Sequence, residues 1–324
     1  MSSPPTLRAV PSPSAGPEPP GEARLRELAA KKVAPLRRPG RWVAAAVVLV
    51  LLAQLAHALI TNPVFQWDVF GYWFFRPVIL DGLLLTLELT GLAAVFGLVG
   101  GIVLALLRLS KNPLLQAVSW AYVWIFRSIP LIVLLLFLAN VTALYSTLSL
   151  GIPFGPSFLS FSATDVLSFF VVAVLGLSLN EAAYAAEIVR AGVLSVDQGQ
   201  LEAAAALGLP RSRQYRRIIL PQATRAIVPA YANQLIGLLK GTSVVYITSL
   251  LELFGVVETQ ASTNSGQIIP LLLVGTVWYI ILTSILSVIQ YYVERFFSRG
   301  ALRTVPPTPF QRFRARLRAL GVAR

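Results

Sequence analysis

Long apolar stretches at about residues 42–60, 82–107, 117–146, 166–189, 223–256 and 268–292 alternate with short polar connections. Each reaches the roughly 20 residues that a helix rising about 1.5 Å per residue needs to cross about 30 Å of hydrocarbon. Lipid offers no partner to backbone N–H and C=O groups, so an apolar crossing of this length is helical. The pattern predicts an all-α integral membrane protein with about six transmembrane helices. The stretches at 117–146 and 223–256 are longer than one crossing requires, which predicts tilt, a break, or a helix running on beyond the bilayer. Pro130, Gly237 and Gly241 are their weak points. Gly97 and Gly101, four residues apart in the second stretch, predict a helix packed closely on another helix.

Composition agrees with the pattern. The 324 residues are 56% hydrophobic and 13% charged, with a mean hydropathy of +0.71. Residues 1–41, rich in Pro, Ser, Gly and Arg, hold too little apolar surface to offset the entropy of ordering and read as a disordered basic tail. The 42–60 stretch reads as an extra N-terminal helix. Residues 296–324 form a second basic tail, either solvated or lying as an amphipathic helix on anionic lipid.

The net charge of +13 changes the picture only through its placement. With the N-terminus in the cytoplasm, the inside segments carry 24 of the 27 Lys and Arg residues and the outside segments carry only Arg76. That asymmetry predicts a multi-pass membrane protein with both termini in the cytoplasm. It explains the basic character through membrane lipid, with no nucleic acid as partner. The chain has no cysteine and a single histidine, His57, which excludes thiolate and histidine-based metal or nucleophile chemistry. No cofactor is expected.

The connection at 190–225 is unlike the others. "GQLEAAAALGL" has high helix propensity, and Gly208 sits where that helix ends and turns. "RSRQYRRIIL" reads as a second short helix with Tyr215, Ile218 and Ile219 on one face and arginines elsewhere, and Pro221 resets the chain before the next span. A helix-turn-helix with an apolar stripe and a cationic rim is a surface for a partner protein.

Glu202, Ala203, Ala204, Gly208, Ile218, Leu220 and Pro221 reproduce the EAA loop pattern, and on them the chain resembles the permease subunits of ABC importers. "DGLLLTLELTG" at 81–91, "FRSIPLIV" at 126–133, "AYAAEIVRAG" at 183–192, "GQLEAAAALG" at 199–208, "LPQATR" at 220–225 and "NQLIGLLKGTS" at 233–243 are similar to the polar amino-acid uptake branch. The resemblance covers about residues 80–295. It implies a five-helix permease core there, with the loop at about 199–221 as cytoplasmic coupling helices. It implies as partners a dimeric ABC ATP-binding subunit, a second permease copy or homologous permease, and an extracytoplasmic solute-binding protein. Ser128, Ile129, Ala191 and Gly241 depart from the branch's usual residues and leave the ligand open. The chain has no "GxxxxGK[ST]" phosphate loop, so it is expected to do no ATP chemistry of its own.

Ionisable residues at membrane depth are costly and are therefore candidates for function. The chain places Glu88, Arg127, Glu181, Glu187, Lys240 and Glu252 in apolar stretches. A zwitterionic amino acid needs a cation for its carboxylate and an acceptor for its ammonium. Arg127 suits the first, and Glu181 or Glu187 the second. The expected substrate path comprises Arg127, Glu181, Tyr184, Glu187, Asn233, Lys240 and Thr242. Structural ion pairs between helices are the other reading of these charges. Import of another small zwitterion or amine, such as an opine or quaternary amine, and a secondary carrier are the alternatives in function.

Overall fold

The computed structural model describes residues 39–152 and 155–297; the tails at 1–41 and 296–324 lie outside these residues except at their inner ends. The chain divides after Asn62. Helix α1, Pro39–Thr61, matches the 42–60 stretch, and the Thr61 hydroxyl donates to the His57 carbonyl at 2.7 Å to close its last turn.

The second unit begins at Pro63. After a short aromatic helix, α2 (Trp67–Phe74), comes the long α3 (Pro77–Arg108), then α4 (Pro113–Ser128), α5 (Leu131–Ala139) and the single turn α6 (Val141–Leu144). Strands β1 (Thr147–Gly151) and β2 (Ser157–Ser162) and the turn α7 (Ala163–Val166) lead to α8 (Phe169–Leu194). Then follow α9 (Gln198–Ala206), α10 (Arg211–Gln214), α11 (Leu220–Gly241), α12 (Leu253–Thr263) and α13 (Ile268–Phe297). Among the described residues, α1, α3, α8 and α13 are long and apolar enough to cross a bilayer, and there are six crossings if each of two bent pairs is one span.

Both breaks have local causes. α4 and α5 meet at 100°. Ile129 precedes Pro130, whose ring forces it to an extended φ −82°, ψ 126°, so the helix stops at Ser128. In the other long stretch, Arg211–Thr248 bends by 47° against α12. This bend is not at the expected glycines. Gly237 stays inside α11 and Gly241 is its last residue, followed by a 3-10 turn, Thr242–Thr248. The cost of a helical glycine is about 1 kcal/mol, and buried Leu238 and Leu239 beside these positions hold the helix. The chain turns instead at Ser249, with φ 64°, and at extended Glu252, whose carboxylate accepts from the Gly255 N–H at 2.8 Å and caps α12.

Pro221 does not reset the chain either. Helical backbone runs from Arg211 to Gly241 through a wider π-turn, Tyr215–Ile219, in which the Leu220 N–H bonds to the Tyr215 carbonyl. In α-geometry the Pro221 ring would strike the Arg217 carbonyl, and the extra residue in the turn moves that carbonyl away.

The bundle is built on α3 against α8. Leu89 and Ala93 of α3, Ala173 and Leu177 of α8, Leu135 of α5 and Leu238 of α11 share one buried cluster. Gly97 and Gly101 sit where the two backbones are closest: a Cβ on Gly101 would lie 2.5 Å from the Ala185 Cβ and 2.9 Å from the Ala186 nitrogen. Gly101→Ala therefore has to push α3 from α8, at a cost of about 1–3 kcal/mol. A thermal unfolding scan of the detergent-solubilised chain should show a lower midpoint, and an unchanged one would mean that this contact is loose.

A β-hairpin interrupts the otherwise all-α architecture where a plain loop was expected at 147–165. Leu148 pairs with Phe161, and Ser149 with Ser160, in antiparallel register. Apolar and hydroxyl residues alternate in "TLSLG" and, apart from Phe158 at the register shift, in "SFLSFS", which gives the two-residue period of strands.

Candidate functional site

Arg127 lies in the last turn of α4, immediately before the Pro130 break. A guanidinium there is favoured by the carbonyls a helix C-terminus leaves unpaired. Its central carbon is 5.3 Å from the centroid of the Tyr184 ring on α8, within cation–π range. Asn180 Nδ2 donates to the Phe126 carbonyl at 3.1 Å and the Tyr122 hydroxyl to the Leu179 carbonyl at 2.9 Å, fixing α4 on α8. Between these helices and the end of α3 opens a cavity of about 280 Å³, whose lining includes Arg108, Trp124, Arg127, Glu187 and Arg190. Glu187 is held by Arg190, whose Nη2 and Nε donate to one carboxylate oxygen at 2.8 and 3.0 Å. Three guanidinium groups face one carboxylate, so the cavity attracts an anionic group.

The expected path residues do not form one site. Arg127, Tyr184 and Glu187 come together. Glu181 does not join them: at 100° per residue it leaves the Asn180–Tyr184–Glu187 face and turns toward α3 and α11. It is 2% exposed, accepts from Gln234 Nε2 at 3.1 Å, and its other oxygen has no partner among the described residues. Gly97 makes room for it, since a Cβ there would be 2.6 Å from the Glu181 Cγ. Lys240 is exposed on a separate cavity of about 360 Å³ with Ser243, Thr276, Tyr279 and Thr283. Thr242 is buried and donates to the Leu239 carbonyl at 2.7 Å, and Asn233 is exposed.

The site residues not singled out from sequence surround Glu252. This fully buried carboxylate accepts from the Tyr279 hydroxyl at 2.9 Å and the Thr86 hydroxyl at 3.2 Å, as well as from the Gly255 N–H. It joins α3, α12 and α13 at one point. A glutamate in an apolar stretch was the available signal, but Thr86 and Tyr279 lie 166 and 27 residues away in sequence.

The polar insert folds as a helix, a tight turn and a second helix. Asp197 caps α9 by accepting from the Gln200 N–H at 3.1 Å. Gly208, at φ +69°, reverses the chain, and the Leu209 N–H closes on the Ala204 carbonyl at 3.0 Å. Val196, Ile219 and Ala223 form a small core with Val193, Leu201, Ile218 and Ile227 packed against it. Gln222 Nε2 bonds to Gln200 Oε1 at 2.6 Å. Of the predicted stripe, Ile219 is buried and Ile218 half-buried, while Tyr215 is exposed; Ala204 of α9 is also buried. Glu202, Ala203, Gly208, Leu220 and Pro221 remain on the surface, with Leu207 the most open apolar side chain among them. α9 is pinned to the end of α8 and the start of α11 together.

Residues 97–299 match the family described as the binding-protein-dependent transport system inner membrane component. The chain belongs to this family. It is 44% identical to the arginine transport system permease protein ArgU of Corynebacterium glutamicum over 84% of each chain. It is 36% identical to the glutamate/aspartate import permease protein GltK of Escherichia coli over 68% of this chain and 93% of that one. The crystal structure of an amino acid ABC transporter with histidines superposes with a TM-score of 0.57 at 30% identity, covering 68% of this chain and 94% of that chain. As a transport-system membrane component the chain is a multi-pass permease that works with ATP-binding and substrate-binding partners. The family match begins at Gly97 inside α3, so α1, α2 and the first part of α3 lie outside it.

Proposed function

We propose that this permease moves polar amino acids across the cell membrane when a separate ATP-binding dimer closes against α9 and the Gly208 turn. The observation that carries the reading is the cavity at the α4–α5 break, where Arg127, held over Tyr184, faces Glu187 and Arg190. An amino acid's carboxylate pairs with Arg127 there, and its ammonium competes with Arg190 for Glu187. The distribution of basic residues supports a cytoplasmic position for both termini and for α9. α8, α9 and α11 then respond as one body when the insert is pushed, and that motion opens the path to alternate sides. Two permease copies, or this chain and a homologous one, flank the path. An extracytoplasmic binding protein delivers substrate to the opposite face.

Arg127→Ala tests the site. Uptake of every amino-acid substrate by the complete importer should fall at least about tenfold, since a charge-assisted bond is worth about 1.5–3 kcal/mol, with Arg127→Lys intermediate. Unchanged uptake would reduce Arg127 to a packing residue on Tyr184.

A further inference from the structure

Residues 63–75 hold an aromatic segment that packs on the turn joining α12 to α13. The Trp278 ring stacks on Phe74 with centroids 4.8 Å apart, and its indole N–H donates to the Phe74 carbonyl at 3.0 Å. Trp73 Nε1 donates to Gln267 Oε1 at 2.8 Å. Gln66, in the left-handed region at φ 42°, donates from Nε2 to the Gly266 carbonyl at 3.1 Å. These contacts fix α2 firmly enough to hold a cavity of about 470 Å³ open between it and the turn.

The lining is Asp68, Val69, Tyr72, Trp73, Asn264 and Gln267. Two aromatic rings, two amides and one carboxylate face a space with no basic side chain in its wall. Most of the polar groups are already satisfied inside: the Trp73 N–H by Gln267, and the Asn264 amide by the Gln260 carbonyl at 2.9 Å. The Asp68 carboxylate is exposed and makes no hydrogen bond or ion pair among the described residues. Arg76 lies outside this lining, with its guanidinium carbon 3.7 Å from the Tyr72 ring centroid, and covers one face of that ring. The Tyr72 ring is thus already a receiver of guanidinium in this structure. Asp68 repels anions, and a wholly apolar ligand against the rings would desolvate its carboxylate without a partner. A cation on a carbon stem satisfies the carboxylate and the rings together.

We propose that this cavity binds the cationic side chain, guanidinium or ammonium, of a free basic amino acid, with Asp68 as counter-charge and Tyr72 and Trp73 as ring walls. It is a second site, distinct from the Arg127 cavity. The proposal rests on the reading of the chain as an amino-acid permease, and on that topology the site faces the outer side, where arriving substrate is met first.

The test is equilibrium binding of radiolabelled L-arginine to the full-length chain in nanodiscs, with L-citrulline, its uncharged analogue of the same shape, as competitor. Arg127→Ala should leave one class of arginine binding that prefers arginine over citrulline at least about tenfold. Adding Asp68→Asn should weaken that class at least about tenfold, Tyr72→Leu should weaken it, and Tyr72→Phe should retain it. Asp68 is exposed and asparagine is isosteric, so folding is not at stake; size-exclusion profiles check this. Arginine binding unaffected by Asp68→Asn in the Arg127→Ala background overturns the proposal, as does equal competition by citrulline. An Asp68→Asn effect seen only as weaker capture of the binding protein also overturns it, because the carboxylate would then serve docking. If Arg127→Ala alone removes no binding class, the transport-site reading fails while the Asp68 result still decides this one.

Discussion

Gly208→Val should reduce ATP-driven uptake to background while the chain still inserts, folds and meets its binding protein. At φ +69° a β-branched residue costs at least about 1–2 kcal/mol over glycine. No heavy atom stands within 4 Å of the added Cβ position, so the penalty falls on the turn and not on the core. The relaxed turn re-aims α9, whose cap and Gln200–Gln222 bond set its angle to α11. Glu202→Lys should have the same outcome by another route, reversing a surface charge on the face proposed to meet the ATP-binding subunit. Uptake assays with a pull-down of the ATP-binding subunit separate the two. Wild-type uptake and wild-type co-purification in both variants would remove the coupling role from this element.

Glu252→Ala should have the largest effect on stability. It strands the Tyr279 hydroxyl and the Gly255 N–H in a buried site and deletes the α12 cap. The stranded Tyr279 hydroxyl costs about 1–3 kcal/mol and the lost cap at the Gly255 N–H about 1 kcal/mol, so a loss of about 2–4 kcal/mol is expected. Glu252→Gln keeps the shape and an acceptor, and should lose less. Tyr279→Phe removes a single bond, about 1 kcal/mol. Thermal unfolding in detergent ranks the three; an alanine variant as stable as the parent would mean that the triple junction of α3, α12 and α13 is held by apolar packing alone.

Much of this was legible in the sequence because the signals are local. The six apolar stretches correspond to four helices long enough to cross a bilayer and two bent pairs, which make up to six crossings among the described residues. Pro130 announced its break through the constraint it places on Ile129. Gly208 announced its turn, and Gly97 and Gly101 the close approach to α8. The failures share a cause in non-local context. Gly237 and Gly241 looked weaker than Ser249, but packing around Leu238 and Leu239 decided the matter. Pro221 looked like a stop, yet one extra residue in the preceding turn accommodates it. The hairpin's period-two alternation lay within a connection taken as plain loop. Among the charges, the sequence offered Glu181 and Glu187 alike as the acceptor opposite Arg127. Only the position of α3 and α11 shows that Glu181 faces Gln234 instead of Arg127.

Reconstitution into liposomes puts the coupling mechanism to its plainest trial. The chain alone, with amino acid and binding protein outside, should pass no more solute than empty vesicles. Adding the ATP-binding subunit with ATP inside should switch on uptake, and Gly208→Val should abolish that response. Full-rate uptake by the chain with no ATP-binding subunit present would contradict the mechanism outright.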